Sequence, residues 1–224
     1  ALLKAFDQTS QALQRSGVDC RFSGTTAIIA CLSRDKDGRE LTVGFVGDSR
    51  CVLGRMRPAR GSAAGQMMAV PITKDHKPTD PAERLRLQEC KAIVRPSRVQ
   101  HPATGTFIEV GCSRVWDVGQ IYGVAMSRSL GDTQVHPYLI ATPEIAVRRI
   151  DDKDQLLVLA TDGVWDVMDN EEAIRIASSS TAEAAAKEIV RVCQDRWDQQ
   201  MPGRRDDITC TVVDLSHPDV RLHK

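Results

Sequence analysis

The segment Leu156-Leu157-Val158-Leu159-Ala160-Thr161-Asp162-Gly163-Val164-Trp165-Asp166 decides how this chain is read. A continuous apolar run bounded by a turn signal predicts a strand buried on both faces, since a half-buried strand would alternate. Asp162 then stands at the rigid tip of that strand, and Gly163 lets the backbone turn closely. Asp166 adds a second carboxylate four positions on. Two carboxylates at the end of an apolar strand are costly to desolvate unless something positive sits beside them. A hard divalent cation such as Mg²⁺ or Mn²⁺, which prefers oxygen ligands, is the first hypothesis.

The rest of the composition narrows the class. A chain of 224 residues can bury a substantial core, and a single domain spanning 1–224 is the expectation. Thirty basic and thirty acidic residues cancel, so no global charge argues for nucleic acid or an anionic membrane as partner. The seven cysteines show no C-x-x-C pair, which predicts a reduced, intracellular protein, cytoplasmic or nuclear, without a zinc site or disulfide framework. Most of them, as in Ile29-Ala30-Cys31-Leu32, are expected to be small buried hydrophobes. No run reaches membrane-spanning length, and no basic-then-apolar leader opens the chain. The sequence starts without methionine, directly in a helical pattern, as a fragment would. Monomer is the default.

Working outward from Asp162, the spacing predicts helices over 1–15, 82–90, 169–177 and 182–199. Thr79-Asp80-Pro81 starts the second helix, and Asp169 caps the third with Glu172 completing a capping box. Ala182, Ala185, Ala186, Ile189, Val190, Cys193 and Trp197 share one face of the fourth. Strands are expected at 25–32 (buried), 41–46, 51–53, 70–73, 121–126, 145–150, 156–161 and 208–215. Asp35-Lys36-Asp37-Gly38 supplies hairpin-turn chemistry. Residues 55–66 read as a loop, and 91–119, with Pro96 and Pro102, as a long irregular flap. Its Arg95, Arg98 and Arg114 either shape access for phosphoprotein substrates or form a merely solvated basic surface. Sheets in the interior with helices on their faces follow from this order.

Four places repeat the opening design of an acid at or just past a strand end: Gly47-Asp48, Lys74-Asp75, Asp162 with Asp166, and Arg205-Asp206-Asp207. Acids so far apart in sequence are what a metal site built from strand ends requires. Each alone has a plainer reading, Asp48 as a turn former and Asp169 as a cap. No G-x-x-x-x-G-K-[ST] phosphate loop, G-x-S-x-G elbow or H-E-x-x-H pair is present. His76 is either an outer partner of Asp75 or a surface-turn histidine.

Six segments occur in the order of a known family: Ser23-Gly24-Thr25-Thr26-Ala27, Val46-Gly47-Asp48-Ser49-Arg50, Asp75-His76-Lys77-Pro78, Ser127-Arg128-Ser129-Leu130-Gly131-Asp132, Ala160-Thr161-Asp162-Gly163-Val164-Trp165-Asp166 and Arg205-Asp206-Asp207-Ile208-Thr209. They resemble the motifs of the metal-dependent protein phosphatases of the PP2C (PPM) family, and Ser113 to Ser127 is most similar to its plant and protist branch. The resemblance implies an α+β, four-layer α-β-β-α sandwich of two antiparallel sheets flanked by helices. It implies hydrolysis of phosphoserine and phosphothreonine by a metal-activated water at a binuclear Mg²⁺ or Mn²⁺ centre. Asp162 and Asp206 match ligands of that centre, and Asp75 and Asp166 match ligands of a third, weaker metal. Asp48 and Asp132 match structural positions, and Asp207 stands where many members have asparagine.

The family's early acidic motif, its Asp-Gly-His-Gly motif, its general-acid histidine and its phosphate-binding arginine have no counterpart here, so no catalytic residue is assigned. Charge agrees: two divalent cations bring four positive charges, and Asp162 with Asp206 offset two. The expectation is therefore the C-terminal two-thirds of an active protein serine/threonine phosphatase, with little activity in these residues alone. The alternatives are a catalytically inactive phosphatase-like binding or regulatory domain and an unrelated metal-dependent hydrolase.

Overall fold

In a computed structural model, the residues described are 1–57 and 65–216. In chain order the elements are α1 (Leu2–Arg15), β1 (Gly24–Thr25), β2 (Ala27–Asp35), β3 (Gly38–Val46), β4 (Arg50–Arg57) and β5 (Gln66–Pro71). Then come α2 (Pro81–Glu89), β6 (Ile93–Gln100), β7 (Phe107–Trp116), β8 (Gly123–Val124), β9 (Leu130–Gly131) and a 3₁₀ turn at Thr133–Val135. The last are β10 (Glu144–Ile150), β11 (Asp154–Ala160), α3 (Asp162–Trp165), α4 (Asn170–Ala177), α5 (Ala182–Gln200) and β12 (Cys210–Asp214). The chain forms two compact units: Ala1–Ala27, Phe45–Asp48 and Asp75–Glu144 in one, and Ile28–Gly44, Ser49–Lys74 and Ile145–Lys224 in the other.

The second unit is organised on β11, the strand anticipated from 156–161. It lies inside a sheet of order β12-β11-β4-β5, antiparallel to both neighbours, with Ala160 opposite Cys210 on one side and Arg50 on the other. Leu156, Leu157, Val158 and Ala160 are all buried, which is why the run is continuous rather than alternating. Helix α5 turns Ala185, Ile189, Cys193 and Trp197 inward, four residues apart. These pack with Ile174 and Ala177 of α4 and with Val52 and Val158 of the sheet in one apolar core. Each fully buried Val or Ile among them contributes about 1.5–3 kcal/mol.

Capping fixes where these helices begin. Asp169 accepts the Glu172 N–H at 2.8 Å, and Thr181 accepts that of Ala184 at 3.4 Å. The Glu172 carboxylate does not close a capping box. It takes a two-pronged bond from Arg196 (2.7 and 2.8 Å), whose guanidinium also donates to Val167 O, so charge pairing between α4 and α5 outcompetes the local cap. The same unit carries the sheet β10-β3-β2. There β2 is an edge strand with Ile29 42% exposed and Cys31 exposed, which corrects the buried reading of 25–32. Cys90 and Cys112 are exposed as well, and the buried-thiol expectation holds for Cys51 and Cys193.

In the first unit, α1 buries Phe6 against Val46 and Leu130, and β1 pairs with β9. Helix α2 has Pro81 in its first turn and Asp80 as cap, accepting from Ala82 at 3.0 Å. Residues 91–119 are not an irregular flap. Strands β6 and β7 form a long antiparallel hairpin, with the register shift falling at Pro96, where a missing N–H is tolerated. Only Gly123–Val124 of the expected strand 121–126 pairs with β7, because the Asp117 carboxylate captures the N–H groups of Ile121 and Tyr122 instead. The loop expected at 55–66 is strand up to Arg57 and from Gln66, and 58–64 lie outside the described residues.

A buried charge cluster ties this unit together. Glu83 accepts from Ser127 Oγ (2.7 Å), Arg86 (3.0 Å) and Arg128 (2.5 Å). Burial alone would raise the Glu83 pKa, yet these donors hold it down at about 2. A carboxyl depressed in the folded state stabilises above its unfolded pKa, and that stability is lost as the pH falls through the folded value. Acid unfolding monitored by circular dichroism should therefore show loss of stability between about pH 4.5 and pH 2, and Glu83→Gln should flatten it. Ile189→Ala, in the second unit's core, should cost about 2–5 kcal/mol in denaturant unfolding.

Candidate metal centre

The tip of β11 is held by hydrogen bonds to Ala160, Thr161 and Gly163. Thr161 N–H donates to Thr209 O, Thr209 N–H donates to Thr161 Oγ1, and that hydroxyl donates to Asp207 O, each at 3.1 Å. Gly163 faces the same segment, and a Cβ there would collide with the Asp207 carbonyl. Only glycine permits this approach. From behind, the Trp197 indole N–H donates to Gly163 O at 2.7 Å and the Trp165 indole N–H to Ala160 O at 2.8 Å, both buried.

This frame places three of the four predicted metal-site acids. Asp162 is half-buried in the first turn of α3, and Asp166 is exposed at its C-cap, one helical turn on, with its N–H bonded to Asp162 O at 2.8 Å. Asp206 is exposed in the segment that Thr161 and Gly163 grip, its Oδ1 accepting the Asp207 N–H at 2.7 Å. Asp207 contributes its backbone carbonyl to the frame. Beside Asp166 lies a cavity of about 440 Å³, lined also by Arg50, Trp165, Asn170 and Gln200. The Arg50 guanidinium lies 5.1 Å over the Trp165 ring and donates to Asn170 Oδ1 at 2.7 Å. Sequence reasoning assigned Arg50 no role, although its place directly after the Gly-Asp-Ser turn was a signal that it sits at a strand mouth.

The fourth acid, Asp75, is half-buried in the first unit on a segment without regular structure. Asp48 beside Gly47 is buried and paired with Lys77, and Asp132 accepts the Tyr122 hydroxyl at 2.8 Å, so both are tied into the fold as the turn and hydrogen-bonding reading expected. His76 is not a surface histidine but 2% exposed. Burial, with the Arg128 guanidinium nearby, pushes its pKa down. The hairpin arginines are engaged locally: Arg95 over Trp116 and bonded to Gln120, Arg98 with Glu109, and Arg114 with Gly123 O.

The donor chemistry suits a hard divalent cation, because Asp162, Asp166, Asp206 and Asp75 offer carboxylate oxygens and all are at least partly accessible. Among the described residues, no three acidic, histidine or cysteine side chains come close enough together to enclose an ion. Each of these acids suits such an ion in kind, and neither the three in the second unit nor Asp75 in the first forms an enclosing shell among the described residues. Further ligands are needed.

The family model described as "Protein phosphatase 2C" matches residues 1–199. "Probable protein phosphatase 2C 48" of Oryza sativa subsp. japonica is 42% identical over 218 residues, covering 96% of this chain and 57% of its own length. "Probable protein phosphatase 2C 72" of Arabidopsis thaliana is 35% identical over 224 residues, covering 98% of this chain and 62% of its own. "Probable protein phosphatase 2C 12" of Oryza sativa is 39% identical over 201 residues, and the match takes in 88% of this chain and 47% of that protein. The chain thus spans about half to three-fifths of the length of these relatives. A crystal structure of serine-threonine phosphatase 2C from Toxoplasma gondii superposes with a TM-score of 0.71 at 24% identity, covering 94% of this chain and 64% of that one. That likeness establishes the fold, α+β with antiparallel sheets and flanking helices.

Gly163→Ala should destabilise the protein by about 1–3 kcal/mol through overpacking against Asp207. Thermal melting reads this, and an unchanged midpoint would contradict the close approach.

Proposed function

The chain belongs to the protein phosphatase 2C family, and from that premise we propose that the protein carrying it hydrolyses phosphoserine and phosphothreonine in phosphoprotein substrates. The observation that supports this reading is the frame around Thr161 and Gly163, which holds the Asp162 turn and the Asp206–Asp207 segment to each other through the backbone. In this reading residues 1–224 belong to one phosphatase domain. Asp162 and Asp206 would hold the main pair of Mg²⁺ or Mn²⁺ ions together with further ligands. Asp75 and Asp166 each offer a carboxylate for weaker cation binding. When bound, such ions supply Lewis-acid activation of water and stabilise charge on the phosphoryl oxygens.

What this chain's own residues contribute is placement. The Trp197 and Trp165 indoles fix the backbone on either side of Asp162, so the turn that carries its carboxylate is held in place. Positioning of this kind supplies a large share of catalysis in phosphoryl transfer. No helix among the described residues is long and apolar enough to cross a membrane.

The test is Mn²⁺- or Mg²⁺-dependent hydrolysis of a phosphothreonine peptide by the full-length protein. Loss of an ion that stabilises the transition state by several kcal/mol, at tenfold per 1.36 kcal/mol, means Asp162→Asn should lower kcat about a hundredfold or more. Absence of metal-dependent turnover in the intact protein would sink the enzyme reading and favour a phosphatase-like regulatory domain.

A further inference from the structure

Residues 72–77, which carry Asp75, contain no helix or strand, so something other than a ladder must fix this segment. His76 does so through both its backbone and its ring. Its N–H donates to Gly47 O at 3.0 Å, and its carbonyl accepts the Ser127 N–H at 2.7 Å. In return, Gly47 N–H donates to His76 Nδ1 at 3.0 Å. The ring stacks on Phe45, centroids 4.9 Å apart and planes 12° from parallel.

Because Nδ1 accepts, the ring proton of neutral His76 resides on Nε2. That atom is buried without a hydrogen-bond partner and stands 3.6 Å from Glu144 Oε1. A buried N–H left unsatisfied costs about 1–3 kcal/mol. An apolar ring would avoid this cost and keep the stack, but it would leave Gly47 N–H without an acceptor. What histidine uniquely supplies here is Nδ1. Gly47 itself has φ +91°, a conformation open to glycine, and it presents the N–H to the ring.

We propose that His76 is a positioning residue for Asp75: the Nδ1–Gly47 bond pins the irregular segment so that the neighbouring carboxylate meets a divalent cation already ordered. The proposal rests on the cation role of Asp75 proposed above. It differs from a packing role because it demands an acceptor at one point of the ring and not merely a filled volume. Outer groups that orient a ligand typically change metal affinity about 10- to 100-fold when removed.

Two matched substitutions separate these roles. His76→Asn puts an amide oxygen near the place of Nδ1, and His76→Gln puts it near that of Nε2; both lose the ring stack. Mn²⁺ binding to the full-length protein is followed by loss of the free-ion electron paramagnetic resonance signal, with melting in EDTA as the measure of folding. His76→Gln should weaken the weaker class of Mn²⁺ site about tenfold, His76→Asn should stay within about twofold, and the two should melt alike. Asp75→Asn should abolish that class. Equal Mn²⁺ affinity in the two His76 variants, whether native-like or weakened, would overturn the positioning role while leaving the role of Asp75 standing. Unchanged binding in Asp75→Asn would overturn the cation role and the proposal with it. Should His76→Gln fail to fold, His76→Phe, which keeps the ring stack and lacks the acceptor, takes its place: a tenfold loss that His76→Asn does not share supports the proposal, and equal affinity in the two overturns it.

Discussion

The second unit depends on a single backbone approach, that of Gly163 to the carbonyl of Asp207. The sheet brings β11 and β12 side by side, but beyond Ala160 and Cys210 the ladder ends and the two chains would be free to part. They stay together because Gly163 has no side chain and because Thr161 bonds the facing segment with both backbone and hydroxyl. Trp197 then closes the position from the helix side. Three acids, Asp162, Asp166 and Asp206, from two distant stretches of sequence thereby become attached to one rigid frame.

The first unit solves a related problem by different means. Asp75 has no ladder beside it, and its segment is fixed by hydrogen bonds reciprocated between His76 and Gly47. Rigid strand tip and pinned coil differ in cooperativity. The tip is tied to an apolar core through Trp165 and Trp197, whereas the coil leans on a stacked ring and a few polar contacts. Stability need not be uniform between them.

Much of this was legible in the sequence, and the failures have physical causes. Strand β11 and helix α5 were readable because deep burial imposes a continuous apolar run on one and a four-residue repeat on the other. The hairpin β6–β7 was not, because both faces bear charged or exposed residues: Arg98 opposite Glu109, Val99 opposite Ile108. Its order comes from cross-strand pairs, which a linear pattern does not display. Asp162, Asp166 and Asp206 could be named from strand-end acids and motif order, whereas the gripping role of Thr161 is invisible until β12 lies beside it. Of the two readings of His76, the surface turn fails, because nothing local signals that Phe45 stacks on the ring and buries it. Glu172 showed the reverse error, a correct local motif overridden by Arg196 from another helix.

The pinning of β11 also makes the molecule optically self-reporting. The chain has three tryptophans, and two of them, Trp165 and Trp197, donate their indole protons to the backbone on either side of Asp162. Both rings are buried, so their emission is set by the polarity and rigidity of that one turn. Trp116 belongs to the first unit, where the Arg95 guanidinium lies over its ring in the hairpin sheet. Two of this chain's three tryptophans therefore report on the strand tip, and loosening of the turn would register in their ultraviolet emission without an added dye.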